Sequence, residues 1–248
     1  MALLEDALIL IVLLIAGIFA GFINVMAGGG SVITLGAMLL MGIDTTLANG
    51  SNRVAILFET FAAISMFKKA QVMELSTSFK YSLLTIPGAL LGAFYAIQIS
   101  DETFQLILVL VIVFVIGVIL FPIQHLTSFS RLKQPILLSA GLVLVGFYGG
   151  FIQAGVGFVI MICFSLFSGM TLLQTNAHKA LIVLMYTLPV AAIFLIEDHI
   201  NWGYAFALGI GNFIGAWLSA RLAIKKGEQL IKRITVIAMI IMAIGLLI

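Results

Sequence analysis

The feature that most constrains the fold is a succession of apolar segments that begins near residue 6 and continues to residue 248. Most acidic and basic side chains lie in the short connections between these segments. Hydrophobic residues make up 63% of the chain and charged residues only 9%, too few to cover the surface of a water-soluble domain. The sequence therefore predicts an all-α, polytopic membrane protein. It argues against a soluble enzyme and against a nucleic-acid-binding protein.

Breaks in the hydropathy divide the chain into ten segments. They cover residues 6–26, 31–42, 46–67, 80–99, 103–121, 135–153, 157–168, 175–196, 202–222 and 231–248. A helix needs about 20 residues to cross the hydrocarbon layer, but 31–42 and 157–168 have only about a dozen. Each follows a glycine cluster, at 27–30 and at 154–157, so each half of the chain is predicted to contain a glycine-broken helix and a short half-helix. The number of full spans, eight to ten, stays open.

The segment pattern occurs twice. A shift of 127 residues superimposes the two glycine clusters and places Asn49 on Asn176 and Thr60 on Thr187. Further along, a shift of 123 residues aligns glycines that are four residues apart in each half. The chain is therefore predicted to contain two copies of one unit. The predicted division is a first transmembrane repeat at 1–122, a cytoplasmic linker at 123–134 and a second transmembrane repeat at 135–248.

The charges of the loops predict that the two repeats are inverted. Basic residues collect at 68–80, 131–133 and 221–233, whereas the connections at 101–102 and 197–198 contain acidic residues and no basic ones. Cytoplasmic loops collect Lys and Arg, so the first three should lie inside. Loops 68–80 and 197–198 are equivalent in the two copies but differ in charge, which favours inversion over a parallel duplication. Inverted repeats are typical of secondary transporters, whose site lies where broken helices meet.

Glycine- and asparagine-rich runs recur in order in both halves. They are Gly-Gly-Gly at 28–30, the run GIDTTLANGSNRV at 42–54, GFYGGFIQAGVGF at 146–158, NAHK at 176–179 and GIGN at 209–212. Over nearly the whole chain, these runs resemble the TauE/SafE family of membrane anion exporters, also called TSUP. The resemblance implies export of sulfite, sulfoacetate or a related organosulfonate across the cytoplasmic membrane. We expect neither a cofactor nor a metal.

Two basic residues, Arg53 and Lys179, lie outside the basic loops, each at the start of the third segment of its copy. A cation is costly near hydrocarbon, so each should face a partner or a wet cavity, and an anionic substrate is a suitable partner. Arginine can bind the oxygens of a sulfonate with two parallel hydrogen bonds. The alternatives are a structural anchor near the interface and an ion pair with an acid.

Each of these cations shares a helix face with other polar side chains. The first stripe contains Asn49, Asn52, Arg53 and Thr60, and the second contains Asn176, Lys179 and Thr187, with His178 next to it. We predict that the two stripes face each other and line a path for the substrate. Hydrogen bonds that hold helices together are the alternative for the amides.

The glycine clusters suggest a second way to bind an anion. A helix that begins inside the membrane points free N–H groups and the positive end of its dipole beyond its first residue. The predicted amides belong to Gly28, Gly29, Gly30 and Ser31 in the first copy and to Gly155, Val156 and Gly157 in the second. Asn24 and Gln153 flank the clusters and are predicted either to bind the substrate or to brace the break. Close helix packing is the alternative for the clusters. It is the favoured role of Gly88, Gly92, Gly211 and Gly215.

Glu59 is the only carboxylate well inside an apolar segment, which makes it a candidate proton carrier. A fixed ion pair and a position near the interface are the alternatives. Coupling is not required for export, because a membrane potential that is negative inside favours outward movement of an anion by about 2.3 kcal/mol per charge per 100 mV.

The predicted function is that of a secondary transporter that exports a small sulfur-containing anion by alternating access, as a multi-pass protein of the cytoplasmic membrane. Its partners would be the anion and the lipid bilayer, without nucleic acid. Which anion is carried, and whether a homodimer forms, stays open. The alternatives are a membrane-embedded enzyme that uses Glu59 and His178, and a non-transporting membrane scaffold.

Overall fold

The computed structural model describes residues 2–100, 102–104, 106–107, 110 and 134–245. Its helices are α1 (Ala2–Met26), α2 (Gly30–Leu40), α3 (Thr45–Lys69), α4 (Leu75–Ala96), α5 (Pro135–Phe151), α6 (Val156–Phe167), α7 (Leu172–Ile196), α8 (Trp202–Lys226) and α9 (Glu228–Gly245). The described residues contain no strand, which confirms the all-α class. The predicted segment at 103–121 and the predicted linker at 123–134 lie almost entirely outside the described residues.

Local signals explain where several helices begin. The hydroxyl of Thr171 accepts a hydrogen bond from the backbone N–H of Gln174 at 3.2 Å, and the Gln174 side chain accepts from the N–H of Thr171 at 3.1 Å. This capping box starts α7. At α8, the side-chain oxygen of Asn201 accepts from the N–H of Tyr204 at 3.1 Å. Pro135 opens α5 at the position where proline is best tolerated.

Polar and apolar side chains are distributed in the opposite way to those of a soluble domain. Large apolar side chains point outward, among them Phe61 with 66% and Leu91 with 57% of its surface exposed. Asn49, Arg53 and Gln153 are fully buried. Among the described helices, Ala7–Met26, Leu172–Ile196 and Trp202–Lys226 are long and apolar enough to cross a bilayer. The chain is therefore a polytopic membrane protein, with apolar side chains toward lipid and polar side chains inside.

The spaced glycines bring pairs of helices into backbone contact. A Cβ atom at Gly88 of α4 would lie 2.1 Å from the carbonyl oxygen of Val143 in α5. In the same way, a Cβ atom at Gly211 of α8 would lie 2.2 Å from the carbonyl oxygen of Leu14 in α1. The equivalent contacts four residues later involve Gly92 with Phe147 and Gly215 with Ile18, so both pairs of helices run parallel. These contacts confirm the predicted packing role of the four glycines.

Contacts between the two halves of the chain are reciprocal. α1 of the first half packs along α8 of the second, and α5 of the second half packs along α4 of the first. α3 packs against α8 and α7, and α7 packs against α4 and α3. The two third helices, α3 and α7, therefore lie against each other with the broken helices on either side.

Both predicted breaks are present, and they touch. α1 ends at Met26 and the 11-residue half-helix α2 begins at Gly30, whereas α5 ends at Phe151 and the 12-residue half-helix α6 begins at Val156. Gly28 has a φ of +99°, which favours glycine. A Cβ atom on Gly28 would lie 2.3 Å from the carbonyl carbon of Gly157, so the backbones of the two breaks are in direct contact.

Candidate functional site

Polar side chains surround the C-terminal end of α1 and form what we call the first break network. It consists of Asn24, Glu59, Asn176 and Lys179. Lys179 Nζ donates to the carbonyl oxygens of Asn24 at 2.9 Å and Val25 at 3.1 Å, and Asn176 Nδ2 donates to that of Met26 at 3.3 Å. Asn24 Nδ2 donates to Glu59 Oε1 at 2.6 Å. The last carbonyls of a helix have no partner within it, so α7 supplies donors that α1 lacks.

A second break network surrounds the end of α5. It consists of Asn49, Arg53, Gln153 and Tyr186. Arg53 donates through Nη1 to the carbonyl oxygen of Gly149 and to Gln153 Oε1, the latter at 2.8 Å, and through Nη2 to the carbonyl oxygen of Gly150 at 2.8 Å. Asn49 Nδ2 donates to the carbonyl oxygen of Phe151 at 3.2 Å, and the Tyr186 hydroxyl donates to Gln153 Oε1 at 2.9 Å.

The two networks contain the same kinds of contact, but the half that supplies the donors in one network supplies the broken helix in the other. In each, a cation and an asparagine of one third helix bind the end of the broken helix from the other half. The side chain at the break also bonds the third helix of its own half, as Asn24 to Glu59 and Gln153 to Tyr186. A positive charge at a helix C-terminus is favourable because the helix dipole is negative there. Both cations therefore have carbonyl partners, and their contact with an anion stays a prediction.

The pairing of the networks fixes the relative direction of α3 and α7. Glu59 and Lys179 belong to the first network, whereas Arg53 and Tyr186 belong to the second. Along the chain, Arg53 precedes Glu59 but Lys179 precedes Tyr186, so the two helices run antiparallel. Six residues of helix separate Arg53 from Glu59, so the networks lie about 9 Å apart along α3.

A small cavity lies in the first break network. Its lining includes Asn24, Glu59, Asn176 and Lys179, together with Val156 and Gly157 at the N-terminal end of α6. The free volume is about 10 Å³, enough for about one water molecule. The free space is therefore much smaller than an organic anion. Lys179 and the positive end of the α6 dipole face this space together with one carboxyl group.

Several buried polar atoms near the two networks have no hydrogen-bond partner among the described residues. They are Asn49 Oδ1, Asn52 Nδ2, Arg53 Nε, Gln153 Nε2, Asn176 Oδ1, Thr187 Oγ1 and Asn212 Oδ1. A buried polar atom without a hydrogen-bond partner costs about 1–3 kcal/mol. Such atoms are therefore rare in protein interiors. These atoms give the region between the halves unused capacity to form hydrogen bonds with a polar solute.

The remaining predicted residues lie around the networks. Gly29 precedes α2, and the N–H of Gly30 donates to Asn24 Oδ1 at 3.3 Å. Asn52 Oδ1 accepts from Thr34 of α2 at 2.7 Å, and the carbonyl of Ser31 also accepts from Thr34, at 3.2 Å. Gly155, with a φ of +72°, directly precedes α6.

His178 lies apart from the cavity. Its Nδ1 is 2.6 Å from Ser78 Oγ of α4, and its ring packs against Tyr81 and Phe164. The equivalent residue in the first half is Ser51, which accepts from the N–H of Asn201 at 2.9 Å. These paired contacts fasten each third helix to the start of a fourth helix from the other half.

Three residues of this region, Tyr186, Thr34 and Ser78, were not predicted from the sequence to have a role. Tyr186 could have been found because the 127-residue shift places it on Glu59. Thr34 and Ser78 carry no comparable signal, since each is a single small polar residue in an apolar segment.

Comparison with known proteins establishes the family. The profile of the family described as Sulfite exporter TauE/SafE matches residues 13–246. The chain belongs to the TauE/SafE family. A probable membrane transporter protein of Sinorhizobium sp, ORF9, is 30% identical over 239 residues, which are 95% of this chain and 91% of that protein. The probable membrane transporter protein YfcA of Escherichia coli K12 is 28% identical over 244 residues, 97% and 90% of the two chains.

A probable membrane transporter protein of Haemophilus influenzae is 28% identical over 232 residues, which are 92% of this chain and 91% of that protein. No solved structure matches the chain. Membership of the TauE/SafE family makes this protein a multi-pass membrane transporter of a small solute. It confirms the prediction of a transporter in place of an enzyme.

Proposed function

We propose that this TauE/SafE transporter exports a small sulfur-containing anion, such as sulfite, sulfoacetate or a related organosulfonate, across the cytoplasmic membrane. The observation that carries the proposal is the cavity of the first break network, where Lys179 and the first residues of α6 face the same space. An ammonium group and the positive end of a helix dipole both favour an oxyanion, and their effect is stronger away from water. The family description supports sulfite as one substrate.

The anion contacts fall into two sets. Lys179, Asn176, Asn24 and Gly157 line the cavity and would contact the anion there. Arg53, with Asn49 and Gln153, would meet the anion about 9 Å farther along α3, where Arg53 Nε and Gln153 Nε2 are free to donate. The two networks thus supply two successive stations on one polar path between apolar walls.

Alternating access requires that the path open to one side at a time. We propose that residues 1–122 and 135–248 are inverted copies that move against each other about the contact of Gly28 with Gly157, with 123–134 on the cytoplasmic side. The antiparallel course of α3 and α7 and the reciprocal packing of α1 with α8 and α5 with α4 support this arrangement.

The test is flux of radiolabelled sulfite and sulfoacetate in vesicles that contain the purified protein. We expect flux well above that of protein-free vesicles, and a loss of at least about tenfold in Lys179→Ala and Arg53→Ala, since a contact with an ionised group is worth about 1.5–3 kcal/mol. Arg221→Ala is the control, because Arg221 stacks on Trp217 of its own helix and lies outside both networks.

The folding of each variant is matched to the native protein by its elution from a sizing column. Native flux no greater than that of protein-free vesicles would refute sulfur-anion transport. Normal flux in Lys179→Ala would instead refute the site and leave the function standing.

A further inference from the structure

The carboxyl group of Glu59 shares the cavity with the cation that would hold the anion. Glu59 is 5% exposed, lines the cavity beside Lys179, and accepts a hydrogen bond from Asn24 on Oε1. The equivalent position in the second network is Tyr186, a neutral side chain. The two networks therefore differ by one carboxyl group, and that group lies in the network that contains the cavity.

The groups that face Glu59 are few. α7 contributes Lys179 and Tyr186, and α1 contributes the neutral amide of Asn24. α2 and α6 contain no charged residue, and α8 contains none between Tyr204 and Arg221. α9 reaches the end of α1 through Thr235, and its cations nearest this contact, Lys232 and Arg233, are exposed. Arg53, on the same helix as Glu59, donates to the end of α5. Within the described chain, Lys179 is thus the only cation that lines this cavity.

Charge balance follows from this composition. When Glu59 is deprotonated and Lys179 is protonated, the two groups together carry no net charge. An anion that binds Lys179 places a second negative charge beside Glu59 in a space removed from water, where repulsion between like charges is strong. A proton on Glu59 removes this repulsion.

On this basis we propose that Glu59 takes up one proton for each anion that binds Lys179, so that the transporter carries one proton and one anion together. The inference rests on the proposed function and names its coupling ion. The proton comes from water on the side to which the cavity is open and returns to water on the opposite side, so no proton is lost or gained. A protonated Glu59 can accept from Asn24 on one oxygen and donate to the bound anion from the other.

The coupling is compatible with export. Sulfoacetate carries two negative charges near neutral pH, and with one proton the translocated complex keeps one. A potential that is negative inside still favours its outward movement. A pH gradient then also acts on transport: one that is acidic outside opposes export, because the proton leaves with the anion, whereas an uncoupled anion carrier would ignore it.

The decisive measurement is the equilibrium distribution of labelled sulfoacetate across vesicles whose membrane potential is held at zero with potassium and valinomycin. With a tenfold proton gradient between about pH 7 and 8, the native protein should accumulate sulfoacetate about tenfold on the alkaline side, because one proton moves with each anion. Glu59→Gln preserves the oxygen that accepts from Asn24 but cannot titrate. It should allow sulfoacetate to equilibrate without accumulation.

Glu197→Gln is the matched control, because it neutralises an exposed carboxyl group at the end of α7, outside both networks and the cavity. It should accumulate sulfoacetate as the native protein does. Glu59→Asp keeps a titratable carboxyl group and should also retain accumulation, at a lower rate.

The outcomes are distinct. Sulfoacetate flux without accumulation in the native protein would overturn proton coupling and leave the proposed function intact. Accumulation by Glu59→Gln, or its loss in Glu59→Asp while flux persists, would overturn the assignment to Glu59. Flux no greater than that of protein-free vesicles would defeat the proposed function itself.

Discussion

At the scale of single residues, the buried cations obtain their partners from backbone carbonyls at helix ends. Arg53 is fully buried, and its two terminal nitrogens reach three acceptors at the end of α5. A planar guanidinium can serve several acceptors at fixed angles, whereas a lysine ammonium is a point charge on a flexible chain. The identity of this side chain should therefore matter as much as its charge.

Arg53→Lys should lower the free energy of unfolding by about 2 kcal/mol, because at least one hydrogen bond between a charged donor and a buried carbonyl is lost. Chemical denaturation of the purified protein in detergent micelles measures the change. The control is Arg221→Lys, which changes a cation near Trp217 outside the networks and should leave the midpoint unchanged. Equal midpoints for the native protein and Arg53→Lys would show that charge alone is required at this position.

The sequence predicted which side chains matter here better than it predicted their contacts. Arg53, Lys179, Asn49 and Asn176 were selected because they are polar in apolar segments, and all four lie at the breaks. Their carbonyl partners could not be predicted, because those atoms belong to the other half of the chain. Only the crossing of the halves brings them within reach.

At the scale of helices, glycine determines which pairs approach most closely. α4 and α5 touch through backbone atoms, as do α1 and α8, so these two contacts leave no room for a methyl group. α2 also contains a glycine, Gly36, but a Cβ atom there would meet nothing within 4 Å. The two environments provide a matched pair of substitutions.

Gly88→Ala should destabilise the protein by about 1–3 kcal/mol, because the new methyl group overlaps the carbonyl oxygen of Val143 and forces α4 and α5 apart. Gly36→Ala should instead stabilise it by up to about 1 kcal/mol through helix propensity. Thermal unfolding of both variants in the same detergent compares them directly. If both shift the midpoint in the same direction, close backbone packing is not what Gly88 provides.

The half-helices could be predicted from the sequence, because a short apolar segment directly follows a glycine cluster in each half. The number of helices that cross the whole bilayer could not be predicted from the sequence, and α3 shows why. It is 25 residues long, but Asn52, Arg53 and Glu59 interrupt its apolar character. These side chains are buried between helices and not exposed to lipid, a distinction that hydropathy along the chain does not contain.

At the scale of the whole molecule, the proposed inversion makes a prediction about the two sides of the membrane. With Cys163, the only cysteine, replaced by alanine, Ser76→Cys should react with a membrane-impermeant maleimide only from the cytoplasmic side. Glu197→Cys should react only from the outside. Both positions are exposed: Ser76 lies in the first turn of α4, after the connection from α3, and Glu197 lies in the connection from α7 to α8. Labelling of both from the same side would refute the inversion.

Neither half should be stable alone, because each supplies the donors for the broken helix of the other. Expressed separately, residues 1–122 and 123–248 should be degraded, whereas co-expression should restore both polypeptides and their flux. The abundance of each half-chain in membrane fractions, expressed alone and together with the other, measures its stability. A stable half-chain on its own would show that the carbonyls at its break need no donors from its counterpart.

The contact between the two breaks also bears on the ancestry of the protein. In an ancestor with only one unit, the cation of the third helix would have had no helix end within reach, because the one it binds belongs to the other unit. A second molecule, inserted in the opposite direction, would have supplied that helix end. Its own cation would have bound the helix end of the first molecule. If the two halves are the inverted copies proposed above, gene fusion would have joined two such molecules, and the difference between Glu59 and Tyr186 would have arisen afterwards.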